Sequence, residues 1–179
     1  MGTANLSREV TRALDGTGTI AKSDVLRWMR DGDLMTRSRV FHLTASAWSR
    51  IRPELTMDEQ CGFMVDYLLE CIASHPQPQQ SDDYLHTGYD AGAALTQWLK
   101  HLVAIPEAAQ VITEVAARLE KLYRSGDEAT RTRIETGALE HILERPALRP
   151  YFSHWRGDPV LCEAYEPALQ WGRAHTDKS

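Results

Sequence analysis

No stretch of this sequence alternates apolar and polar residues over a strand's length with β-branched enrichment, so nothing in it calls for a sheet. No apolar run approaches the roughly 20 residues needed to cross a bilayer. The first residues lack a hydrophobic signal core, and a cytoplasmic location is the expectation. Cysteine is scarce: Cys61, Cys71 and Cys162 form no CxxC pair. Cys61 and Cys71 fall within one expected helix and are separated by about 15 Å along its axis, too far for a disulfide. Buried free thiols in a reducing compartment are expected. The GxSxG, HExxH, Walker lysine and GxGxxG patterns are all missing, so no enzyme class is indicated by motif.

What is present is an ordinary globular composition, with 42% hydrophobic and 25% charged residues in a chain of 179. That length supports one substantial core better than two small ones. Residues 1–22, polar and rich in Gly and Thr, read as a loosely ordered N-terminal arm, and 23–179 as a single all-helical domain. The formal charge of -5 disfavours attraction to a phosphate backbone, so no nucleic-acid partner is expected. The charge is unevenly spread: residues 1–53 hold nine Lys and Arg against five Asp and Glu, net +4. Residues 54–101 hold Lys100 against eight acids, net -7. A solvated surface explains such an acidic block, and so does a face that attracts a basic partner.

The helical period recurs along the rest of the chain. Val40, Leu43, Ala47, Trp48 and Ile51 give a helix over 36–51, closed by Pro53. Thr56 and Glu59 stand at capping-box spacing before a stripe of Cys61, Met64, Val65, Leu68, Leu69 and Ile72. After a Pro-rich break at 75–83, Ser81 or Asp82 is placed to cap a helix from Tyr84 to Leu102. Gly88 and Gly92 inside it point to close approach of a neighbouring element. Pro106 opens a helix to Tyr123, and Asp127 caps a run to Arg145 that Pro146 stops. Asp158 before Pro159 caps the last helix. About eight helices joined by short loops predict an all-α antiparallel bundle or a short stacked helical array.

Two clusters carry candidate chemistry. Glu140, His141 and Glu144 lie within about one helical turn and could join Asp66, Glu70, Asp90 or His86 around a metal ion. Such a site would suit a metal-dependent hydrolase acting on a nucleotide or other small molecule. The di-iron bundle signature, however, needs paired Glu-x-x-His segments, and here one His-x-x-Glu occurs. A hydrogen-bonded structural histidine is the simpler reading, and no cofactor is expected. The second cluster, Asp82, Asp83, His86, Tyr89 and Asp90, joins acids to an aromatic near a helix start. With Asp66 and Glu70 it forms a candidate partner-binding surface, since Tyr and Trp anchor interfaces.

Residues 122–172 contain Tyr123 followed by Gly126-Asp127, then Leu139-Glu140-His141 before a proline corner, Phe152-x-x-Trp155 and Ala168-x-x-Trp171. With these pieces the segment resembles the C-terminal part of small helical bacterial immunity proteins that partner polymorphic toxins. The resemblance covers under a third of the chain and implies no catalytic residue. It implies a cytosolic inhibitor that occludes a toxin's active site, its acids complementing a basic cleft.

Overall fold

Asp33, Thr87 and Asp127 each place a side-chain oxygen on the amide three residues ahead, at 2.8 Å for Thr36 N, 3.2 Å for Asp90 N and 2.8 Å for Thr130 N. These bonds satisfy amides that a helix start leaves open, and they set where three helices begin. In this computed structural model, described over residues 3–77 and 84–176, the chain is an all-helical array, as its periodicity predicts. The described residues fall into two compact units, one made of the chain up to Tyr67 with Gln77–His86, the other of Leu68–Pro76 with the chain from Thr87.

The first unit contains α1 (Thr3–Asp15), α2 (Lys22–Asp31), α3 (Leu34–Ser46) and the start of α4 (Met57–Ser74). Within the stretch read as a loose N-terminal arm, Thr3–Asp15 form a helix. Helix α1 packs along α3, burying Leu6 and Val10. Burial of such side chains is worth about 1.5–3 kcal/mol each, enough to hold a helix of this length down. Next comes a two-residue parallel pair, β1 (Ile20–Ala21) with β2 (Ile51–Arg52), in which buried Ile20 faces buried Ile51. So short a pair leaves no alternating pattern to read. Arg50 fixes the approach to it, donating to Ala13 O at 2.7 Å and Gly18 O at 2.9 Å. Helix α4 opens with the expected capping box, Thr56 and Glu59 each binding the other's amide.

The second unit holds the end of α4, α5 (Gly88–Leu102), α6 (Ala109–Ser125), α7 (Glu128–Ile134), a π-turn at Glu135–Leu139, α8 (Glu140–Leu143), α9 (Arg149–Phe152) and α10 (Cys162–Ala174). Helix α5 begins at Gly88, not at Tyr84. The Thr87–Asp90 capping box, with Thr87 N and Oγ1 both donating to Asp90 Oδ2, starts it there. Its glycines do allow close approach: a Cβ at Gly92 would lie 2.5 Å from Gly137 O, and one at Gly88 2.6 Å from Arg133 Cδ. Arg133, itself buried, donates to Ile72 O, Ala73 O and Thr130 Oγ1, closing carbonyls at the end of α4. Trp155, Phe152 and Leu148 are fully buried, so the Pro146–Gly157 corner is part of the core. No helix among the described residues is long and apolar enough to cross a membrane.

Candidate functional site

Within the second unit the focal side chain is Tyr89. It stands in the first turn of α5, where the capping box fixes the backbone, and it remains 46% exposed. Exposure does not leave it loose. A Cβ on Gly137 would come within 3.0 Å of the Tyr89 ring, so the glycine's bare backbone forms a seat for it. The His75 ring meets Tyr89 edge-on, with centroids 5.8 Å apart.

His75 is itself unusual. It follows the last turn of α4 with φ of 44°, in the left-handed region that non-glycine residues seldom adopt. Its Nδ1 accepts the Gly88 amide at 3.1 Å, so the same imidazole tethers the start of α5 and packs on Tyr89. The bond that compensates the backbone conformation thus also sets the Tyr89 platform. Asp90, exposed beside it, has its carboxylate bound by Thr87. Its charge still projects a negative field beside the aromatic ring.

In the first unit, His86 joins a different group. Its amide donates to Tyr67 Oη at 3.3 Å, and its Nδ1 lies 3.0 Å from the same oxygen. The His86 ring stacks on His42, with centroids 5.5 Å apart and planes inclined by 19°. His42 Nε2 lies 3.2 Å from Tyr84 O, a bond that needs the proton on Nε2 in the neutral ring. Burial lowers the His42 pKa, and the Tyr84 carbonyl offsets part of that shift. The cluster thus pins Tyr84–His86 against α3 and α4 through side chains that hold one another.

The predicted binding residues are divided between the two units. Asp66 is exposed on the α4 portion of the first unit, while Glu70, half-buried, belongs to the second unit with Tyr89 and Asp90. Asp82 and Asp83 lie outside the described residues. Of the predicted Glu140, His141 and Glu144 cluster, Glu144 draws two partners: its Oε1 binds His141 Nδ1 at 2.7 Å, and its Oε2 takes Lys100 Nζ at 3.3 Å. Burial raises the Glu144 pKa, but these two partners outweigh it and hold the carboxyl below its ordinary range. Lys100 therefore stands where a cation would have to bind. Among the described residues no three His, Cys, Asp or Glu side chains converge as metal ligands. No family model matches this chain, and comparisons with curated proteins and solved structures yield no significant match.

Sequence reasoning passed over His75, His42 and Tyr67. Only His75 carried a local signal, as the residue that follows α4 just before Pro76. Of the three cysteines, Cys61 and Cys71 are buried as expected, whereas Cys162 is half-buried, with its thiol donating to Pro159 O at 3.4 Å.

Proposed function

We propose that this chain is a protein-binding module of the immunity or inhibitor kind, which blocks a basic toxin or effector domain. The observation that carries the reading is Tyr89, an exposed aromatic whose ring is held by Gly137 and His75. A fixed aromatic loses little conformational freedom on docking, which is why Tyr and Trp dominate interface hot spots. Acidic neighbours complement a cleft built to grip phosphate, as Asp90 does here and as the net charge of -7 over residues 54–101 does at longer range. The partner is thus a protein with a basic active-site cleft.

The test is co-expression with the product of the neighbouring reading frame, scoring both survival and co-purification. Tyr89→Ala should leave the thermal unfolding midpoint close to the parent's while weakening the complex by about 2 kcal/mol or more, roughly 30-fold. A complex that forms equally well with Tyr89→Ala removes Tyr89 as its anchor.

A further inference from the structure

The first unit carries a basic groove that the proposed function leaves unused. It lies between α1 and α3, has a volume of about 540 Å³, and is lined by Ser7, Arg8, Thr11, Arg12, Asp33 and Arg39. Ser7, Arg8, Thr11 and Arg12 occupy two successive turns on one side of α1, while Leu6 and Val10 turn into the core. Arg8 and Arg12 are exposed and make no hydrogen bond or ion pair among the described residues. Four residues apart on a helix, their like charges repel one another unless an anion bridges them.

The remaining lining favours an anion too. Arg39 Nη1 donates to Ser7 Oγ, so the serine oxygen is oriented with its own proton left to give. Thr11 spends its hydroxyl proton on Ser7 O at 3.0 Å and serves only as wall. Asp33 brings the one carboxylate among the described lining residues, but its Oδ1 is already bound by Thr36 N at 2.8 Å and Thr36 Oγ1 at 2.7 Å. Glu9, the acid whose field reaches Arg12, binds Arg27 at 2.7 Å and Trp28 Nε1 at 3.1 Å. Arg8 and Arg12, against a carboxylate already engaged by Thr36, leave the α1 side of the groove positive.

We infer that this groove binds a small phosphate-bearing ligand, with the phosphate held by Arg8 and Arg12 and the Ser7 hydroxyl. Guanidinium groups pair with phosphate oxygens through two parallel N–H bonds, a geometry that a point charge does not reproduce. The groove's volume falls in the range of small-molecule sites, roughly 300–1,000 Å³. A long polyanion or an anionic bilayer would also meet the rest of a chain of net charge -5, which repels it, so size decides for the small ligand.

The experiment titrates the full chain with pyrophosphate at constant ionic strength, followed by amide chemical shifts. Saturable shifts confined to residues 7–12 and around Arg39 are expected. The double substitution Arg8→Gln with Arg12→Gln, at two exposed positions, should keep the helical circular dichroism and weaken pyrophosphate by about tenfold or more. Arg8→Lys with Arg12→Lys, which keeps the charge and loses the fork, should fall between. Shifts that do not saturate, or that persist in the glutamine variant, overturn the site. Sulfate binding as tightly as pyrophosphate reduces it to an unselective basic patch and overturns it as well. Preferential binding of a DNA duplex or of vesicles containing phosphatidylglycerol overturns the assignment to a small ligand.

Discussion

At the scale of single residues, His42 does structural work that depends on its protonation. His42 presents a proton on Nε2 to the Tyr84 carbonyl, while its ring is stacked on His86 and sheltered by neighbouring aromatics. Its pKa is lowered by burial, so the folded protein resists protonation that the unfolded chain accepts near pH 6.5. Below that pH the unfolded state binds more protons, and stability falls as pH drops. Above it both states are neutral at this site and the contribution is level. Urea unfolding at about pH 7.5 and about pH 5.5 should therefore show a loss at the acid side, and that loss should shrink in His42→Gln, which leaves His86 in place. Identical acid-side losses in parent and variant would show that His42 is not the group responsible.

At the scale of elements, close backbone approach between α5 and the π-turn decides what the second unit tolerates. Thr96 Oγ1 donates to Gly92 O at 2.9 Å, within α5, and Gly92 itself lies against the Gly137 carbonyl. Gly92→Ala would drive a methyl to 2.5 Å from that oxygen, a backbone atom that cannot swing aside, and should cost about 1–3 kcal/mol. Gly62, inside α4 with nothing within 4 Å of its missing Cβ, should instead gain roughly 0.5–1 kcal/mol as alanine. Opposite signs in denaturant midpoints check the pair, and a neutral Gly92→Ala would mean the helix and turn can separate. Much of this was legible beforehand, because caps and glycines inside helices state local requirements. The Thr56–Glu59 box, the Asp127 cap and the suspected approach at Gly88 and Gly92 all came from such signals. Even the correct start of α5 was written as Thr87-x-x-Asp90, but the aromatic and apolar residues from Tyr84 onward extended the helical period across it. The π-turn was not legible. Buried Ile134, Ala138, Leu139 and Ile142 stand at spacings of four, one and three, which an ordinary α-helix would also put on one face, so the sequence shows no break there. The Tyr89 seat and the His42–His86 stack join residues far apart in sequence, and no local spacing encodes them.

At the scale of the whole molecule, charge is the property most available to a partner. The basic first stretch is partly neutralised from within, Arg27 by Glu9 and Asp24, and Arg30 by Asp31. Residues 54–101, with Lys100 alone against eight acids, keep a strong net charge even though Glu59 pairs with Lys22. Long-range attraction depends on net charge more than on which carboxylates make local bonds, since a bonded carboxylate such as Asp90 keeps its field. Replacing Asp82, Asp83 and Asp90 together by Asn removes three of those charges, and an asparagine oxygen at position 90 can still accept the Thr87 bonds. Stopped-flow association with the co-purified partner should then slow by about tenfold at low salt, with a flatter dependence on ionic strength, while dissociation changes less. Neutralising Arg8 and Arg12 should act in the opposite direction, raising the association rate by making the chain more acidic. If both variants associate at the parent's rate at low salt, encounter is not steered by this charge and the affinity must reside in docked contacts such as Tyr89.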